Sequence, residues 1–334
     1  MKTEYDVLGI GNVLMDIIAP VPDAFLVENS VEKGSMTLID EPRALALNSA
    51  LKKSAEIQEI AGGSAANTLF GIGALGLRAA YLGNVANDGV GRRISAGMAL
   101  GGVDFSSKPK TSGPASGRCL IAVTPDGERS MSTFLGTSCL FTPKDIVKSK
   151  VESAACVYLE GYLFDTEPAK AAFVKVAEIA RAAGRTVSLT LSDSFCVDRH
   201  RASFRHLVDN HVDILFANTD EILSLYETDS LDAALDALTK TKTVACVTRS
   251  EKGSIIQDSK RRYHIKACSL APFVDKVVDT TGAGDQYAAG VLAGRAMGLD
   301  WADAGHLGSL AAAEVISHYG ARPEKSLHEI ALGA

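Results

Sequence analysis

The stretch VVDTTGAGDQYAAGVLAG, Val277–Gly294, is where the reading of this chain turns. Val277 and Val278 read as the end of a strand, Thr280 to Gly284 as a sharp turn, and Gln286 onward, rich in alanine and leucine, as a helix. Gly282 and Gly284 let the backbone adopt positive φ or lie directly against a ligand. The first N–H groups of a helix lack internal partners and carry the positive end of its dipole, so such a mouth attracts anions, phosphate above all. Asp285 stands at the same mouth, where its carboxylate would repel a phosphate. Two readings stand: a helix cap, a role aspartate favours, or a reactive group set beside a bound phosphate.

Outward from this turn, strand-like and helix-like runs alternate. AAYLGNV precedes the helical DGVGRRISAGMALGG, ACVYLEGYL precedes EPAKAAFVKVAEIARAAG, TVSLTLS precedes FCVDRHRASFRHLVDN, and VDILFA precedes TDEILSLYE. Apolar β-branched runs alternating with amphipathic helices predict βαβ units, hence an α/β domain over 1–334 with a mainly parallel sheet covered on both faces. Such sheets bind ligands beyond the carboxyl ends of their strands. Two segments, about 13–40 and 103–134, read as strands without a crossover helix, the second as a hairpin around Pro125-Asp126-Gly127. Strands outside the core must pack elsewhere, and they predict a small β-sheet lid that excludes water from a reactive site. Gly290, Gly294 and Gly298 form a small-residue stripe, read as close helix packing.

Composition narrows the function. Of 334 residues, 46% are hydrophobic and 22% charged, as in a soluble protein with a sizeable core. A net charge of −6 gives no basic excess for nucleic acid or an anionic membrane. Six scattered cysteines without C-x-x-C read as reduced thiols. With no signal-peptide pattern and no long apolar span, the expectation is a cytoplasmic protein. The histidines show no metal-binding spacing, and no Walker A sequence is present.

Further polar residues interrupt apolar or glycine-rich runs. Asn12 and Asp16, four apart in NVLMD, share one face if they lie on one strand and would suit the vicinal hydroxyls of a sugar; taken alone, the two residues read first as a turn asparagine and an edge aspartate. In AGGSAANT, Gly62 and Gly63 permit close ligand approach, Ser64 caps a helix and Asn67 projects from its first turns. In NTDE, Asn218 and Glu221 form a capping-box pair or organise water around magnesium. In TRSEKG, Thr248 and the glycine turn at Gly253 can face a nucleotide.

Together AGGSAANT, GNVANDGVGRRI, NTDE and DTTGAGD, in this order, resemble the ribokinase/PfkB family of ATP-dependent carbohydrate and nucleoside kinases. Within it, GIGNVLMDI, YLEGYLF, LTLSDSF and VDILFANTDE are most similar to the adenosine kinases. The resemblance implies a ribokinase-like three-layer sandwich with a small β-sheet lid, ATP and Mg2+ as cofactors, a small-molecule nucleoside or sugar as partner, and a monomer or homodimer. It makes Asp285 the base that takes the acceptor's hydroxyl proton, and the amides of Gly282, Ala283 and Gly284 the anion hole for the transferred phosphoryl group. Carboxylate and phosphate are then brought together because a hydroxyl sits between them. Asn12, Asp16, Gly62, Gly63, Ser64, Asn67 and Phe134 would hold the acceptor, Tyr162 would stack on its base, and Arg129 would neutralise phosphate charge. Asn218, Thr248, Arg249, Gly253 and Thr280, with Gly282 and Gly284, would contact the nucleotide, and Asn218 and Glu221 would reach the metal through water. The implied reaction is phosphorylation of the 5′-hydroxyl of adenosine, with ribose or a hexose derivative as the alternative acceptor. Glu160 and Asp193, carboxylates near the inferred base pocket, together with Gln286 and Tyr287 after the last aspartate, depart from the family pattern and admit guanosine or inosine.

Overall fold

Short apolar runs that must be buried on both faces can only be central strands of a parallel sheet, and the computed structural model arranges them so. It describes residues 3–327 and 329. The described strands are β1 (Tyr5–Ile10), β2 (Leu14–Pro20), β3 (Met36–Leu38), β4 (Gln58–Gly62), β5 (Ala79–Leu82), β6 (Val103–Asp104), β7 (Gly117–Val123), β8 (Arg129–Phe134), β9 (Ala154–Glu160), β10 (Thr186–Thr190), β11 (Ile214–Asn218), β12 (Val244–Thr248), β13 (Ser254–Gln257) and β14 (Arg262–Ile265). Nine of them form one sheet in the order β14-β13-β12-β11-β10-β9-β1-β5-β6. It is parallel from β12 to β6, with antiparallel β13 and β14 at one edge.

Alternate side chains of each strand enter two cores. Val7 packs with Leu69 and Val291 on the face covered by helices Ser64–Ala74 and Ala283–Ala296, whereas Leu8 packs with Phe173 and Phe204 on the other. The result is the expected three-layer α/β sandwich. From β1 the chain runs outward to β5 and β6, then returns to lay β9 on the other flank of β1. That reversal opens a crevice at the carboxyl ends of the strands, the usual ligand site of such sheets. Two members of the glycine stripe are close packing, since a Cβ on Gly290 would lie 2.6 Å from Gly308 Cα and one on Gly294 2.8 Å from Ala304 Cα, both in helix Trp301–Val315. Gly298 is not: it follows the helix end at φ 87° with open space where a Cβ would sit. No helix of the described residues is long and apolar enough to cross a membrane, and all six cysteines are free.

A second, five-stranded sheet has the order β3-β8-β7-β2-β4. Its composition differs in detail from the sequence reading. Residues 13–40 include a helix, Asp23–Glu28, and β4 joins the sheet antiparallel to β2 from a stretch too short and polar to read as a strand. Val103–Asp104 pairs with β5 in the large sheet, so pairing in the second sheet resumes only at Gly117. Val277 and Val278 are not a strand: Val278 N–H at 2.9 Å and Asp279 N–H at 3.5 Å both donate to the one carbonyl of Ile316 at the end of a helix, with no ladder. The turn 279–285 nevertheless sits beyond the sheet's carboxyl edge, because its helix packs across that face.

Candidate active site

Gly282 has φ 77° and precedes helix Ala283–Ala296 as its N-cap. A Cβ there would meet Ala321 at 2.7 Å, so the left-handed turn and the close approach both demand glycine. Asp285, in the first helical turn, makes no capping bond. Its carboxylate crosses instead to helix Ser64–Ala74, where Ser64 Oγ donates to Oδ1 at 2.6 Å and Asn67 Nδ2 donates to Oδ2 at 3.1 Å. The cap reading therefore fails on geometry. Burial pushes the Asp285 pKa up to about 6, with the Ser64 and Asn67 donors pulling the other way. Beside it, the amides of Gly282 and Gly284 make no hydrogen bond within the described residues, while that of Ala283 closes the turn on Thr280 O at 3.2 Å. Two free amides at a helix mouth and a carboxylate held by two donors suit a phosphoryl group and the hydroxyl that attacks it.

This turn borders a cavity of about 320 Å³ at the carboxyl ends of β10, β11 and β12. Ser64, Tyr162, Asn218, Glu221, Thr248, Thr280 and Gly282 to Asp285 all line it. Asn218 and Glu221 do form a capping box: Asn218 Oδ1 accepts from Glu221 N at 2.8 Å, and Glu221 Oε2 accepts from Asn218 N at 3.0 Å. Glu221 is nonetheless buried, and burial pushes its pKa up to about 7. Capping and a place at the cavity are compatible.

A second cavity, of about 150 Å³, lies between the second sheet, the 279–285 turn and the segment Tyr319–Glu324, and is lined by Asp16, Asn67, Arg129, Thr281 and Arg322 among others. Burial pushes Asp16 up to about 6, opposed by Arg322 and Arg129 and reinforced by Asp285. Asn12 does not share a strand with Asp16: it lies where the chain leaves β1 for β2, and the same-face argument lapses there. Its Oδ1 accepts from Ser138 Oγ at 3.0 Å, and its Nδ2 is buried without a partner among the described residues. Gly62 fits against the Asp16 carboxylate and Gly63 against Asn12 O. Arg129, at the start of β8, ties the second sheet to the turn: its Nη2 lies 3.0 Å from Asp279 Oδ2 and its Nη1 donates to Thr281 Oγ1 at 2.8 Å.

Phe134, Arg249 and Gly253 line neither cavity. Phe134 is packed in the core, Arg249 Nη2 donates to Lys252 O at 3.0 Å, and Gly253 is buried against Ile265 O. Glu160 also turns away from any base pocket. Its carboxylate accepts from Asn12 N at 3.0 Å and Ala65 N at 2.7 Å, fastening the β1–β2 link to the helix that carries Ser64 and Asn67. Asp193 caps helix Ser194–Asn210 through Cys196 N at 2.6 Å. Gln286 donates to Asn67 O at 2.8 Å and Ala321 O at 3.0 Å, and Tyr287 donates to Ser254 Oγ at 2.8 Å, so both are buried ties. Sequence reasoning missed Thr281 and the segment Tyr319–Glu324, which lines the second cavity after the last long helix. No periodicity or motif marks that segment.

The chain is similar to known kinases. A pfkB family carbohydrate kinase pattern matches residues 32–327. The chain superposes on the crystal structure of adenosine kinase from Sinorhizobium meliloti with a TM-score of 0.90 and 44% identity, covering 99% of each chain. A probable sugar kinase from Rhizobium etli gives the same TM-score of 0.90 and 44% identity over 99% of this chain and 98% of that one. Adenosine kinase of Saccharomyces cerevisiae is 27% identical over 93% of this chain and 94% of its own length. Fold, site and relatives define a phosphotransferase with an alcohol group as acceptor. The chain belongs to the pfkB family of carbohydrate kinases, and its large sheet with a smaller second sheet is the family's ribokinase-like fold.

Proposed function

We propose that this chain is an ATP-dependent nucleoside kinase that phosphorylates the 5′-hydroxyl of adenosine. The observation that carries the reading is Asp285, held by Ser64 and Asn67 between two helix mouths and beside the free amides of Gly282 and Gly284. The acceptor hydroxyl would lie between Asp285 and the γ-phosphoryl group, which the two amides receive. Asp285 takes the hydroxyl proton as the oxygen attacks in line. Asp16 and Asn67 would orient the sugar, and Thr248, Thr280 and Asn218 would border the nucleotide; Tyr162, expected to stack on the acceptor's base, lines the nucleotide's cavity and not that of Asp16. No group of three or more His, Cys, Asp or Glu able to hold a metal exists among the described residues. The oxygen donors of Asn218 and Glu221 fit a hydrated Mg2+ that is carried mainly by the nucleotide's phosphates. That ion would supply positive charge to offset the phosphates' negative charge.

A second reading is a kinase of ribose or a hexose, because the Asp16 cavity alone, about 150 Å³, suits a single sugar ring, whereas the adjoining cavity of about 630 Å³ that shares Ile18, Ile60, Arg129 and Tyr319 with it leaves room for a base. ATP consumption measured against adenosine, guanosine, inosine, ribose and fructose decides between them. ADP formed faster with ribose or fructose than with any nucleoside sinks the adenosine reading.

The pKa of the base sets a pH profile. Burial holds Asp285 and Asp16 near 6, above the ordinary aspartate value, and both act as carboxylates. Activity is therefore present above about pH 6 and lost as pH falls through it, with log kcat/KM falling at a slope between one and two. A plateau in kcat/KM that extends down to pH 4.5 would contradict this assignment.

We further propose that the second sheet is a lid, because Arg129 already bridges it to Asp279 and Thr281. Acceptor binding should slow amide hydrogen exchange in residues 14–20 and 117–134. Protection confined to the C-terminal half counts against a lid.

A further inference from the structure

The segment Tyr319–Glu324 forms one wall of the Asp16 cavity and is fastened along its length. Gly320 N–H donates to Asp279 Oδ2 at 2.9 Å, and Ala321 O accepts from Gln286 Nε2 at 3.0 Å. The amides of Glu324 and Lys325 donate to Glu314 Oε1 at 3.0 and 2.9 Å, and Glu314 itself is fully buried. Between these ties the guanidinium of Arg322 lies 3.5 Å from the centroid of the Phe70 ring. This packing fixes the plane of the guanidinium, and the residue lines the cavity with Asp16. Its Nε and Nη2 are buried and find no acceptor among the described residues. Burial lowers the Arg322 pKa to about 10 and Asp16 opposes the shift, so the group stays charged at neutral pH. No ion pair closes the gap between the two side chains, although both line the same small cavity. A buried guanidinium with unmade hydrogen bonds is costly unless a ligand completes them.

We propose that Arg322 is an acceptor-specificity residue that works with Asp16 to read a vicinal diol: the guanidinium donates to the hydroxyl oxygens, whose own O–H groups donate to the Asp16 carboxylate. Arginine alone would suit many acceptors and aspartate alone any donor. The facing pair, with donors on one wall and an acceptor on the other, matches adjacent hydroxyls and penalises the loss of either. The inference rests on the reading of the chain as a nucleoside or sugar kinase. It adds a residue that neither the glycine turns nor the carboxylates reveal.

The test compares kcat/KM of the full-length chain for adenosine with that for 2′-deoxyadenosine and 3′-deoxyadenosine, or for ribose with 2-deoxyribose if the acceptor screen selects a sugar. The unmutated chain should favour the diol by at least about tenfold. Arg322→Met, which keeps the packing on Phe70, should lower kcat/KM for the diol by about 10–100-fold and for the deoxy substrate by no more than about threefold. The discrimination ratio then collapses. Arg322→Lys keeps the charge without the planar fork and should also lose most of the ratio, which guards against a folding defect in the methionine variant. A ratio near one in the unmutated chain overturns the proposal, as does an unchanged ratio in both variants whatever their activity. Failure of the unmutated chain to phosphorylate any nucleoside or sugar sinks the kinase reading and this inference with it. Unaltered discrimination sinks this inference alone.

Discussion

Asp285→Asn is expected to lower kcat by about 10²–10⁴-fold while the protein stays folded and still binds ATP. The amide is nearly isosteric with the carboxylate but cannot accept the hydroxyl proton. The contacts to Ser64 and Asn67 survive in altered polarity, because the serine hydroxyl can accept as well as donate. Stability should not fall, and the sign follows from linkage. Burial raises the folded-state pKa to about 6, so the native state binds this proton more tightly than the unfolded chain. The associated stability is present below the ordinary aspartate pKa and is lost as pH rises through about 6. At pH 8 the ionised carboxylate therefore costs folding free energy that asparagine does not. Initial-rate assays, thermal denaturation at pH 8 and ATP titration together check the result. Turnover within about threefold of the unmutated protein, with ATP binding intact, would remove Asp285 from the mechanism.

Gly63→Ala should destabilise the protein by about 2–5 kcal/mol. Gly63 has φ 108°, a conformation that L side chains rarely adopt, and a Cβ there would lie 2.2 Å from Asn12 O. The obstacle is backbone, held in turn by the Glu160 carboxylate through Asn12 N, so it cannot step aside as a flexible side chain would. Gly63 also precedes the helix whose first turns carry Ser64 and Asn67. A shift there moves both donors on Asp285, and activity should fall along with the melting temperature. Urea and thermal unfolding measure the stability change. A variant that melts within a degree of the unmutated protein would show that the strand-to-helix joint relaxes far more readily than its geometry implies.

Much of this protein was legible before its folding was known, wherever the cause is local. The alternation of β-branched runs with amphipathic helices specifies a parallel sheet because only crossovers of that length can connect parallel strands. The glycines of the 279–285 turn and the N-cap chemistry of Asn218 and Glu221 are set by φ, ψ and hydrogen bonds within a few residues, so they read directly from the chain. The aspartate at the helix mouth was visible too, but its role was not. Ser64 and Asp285 are 221 residues apart in sequence, and no propensity or period encodes which donors close on a distant carboxylate. The same limit misplaced Asn12 and Asp16 on one strand, because the chain leaves the large sheet at Gly11-Asn12 and enters the second sheet at Leu14 within one apolar run. It made Glu160 look like a reader of a base when two backbone amides claim it, and it hid Arg322, an unremarkable arginine in a C-terminal turn. Local stereochemistry chose the elements and their turns. Only the packing of helices Ser64–Ala74 and Ala283–Ala296 and the last segment around the strand ends decided which polar groups meet, because burial and hydrogen-bond partners across the fold exist only once those elements have closed on one another.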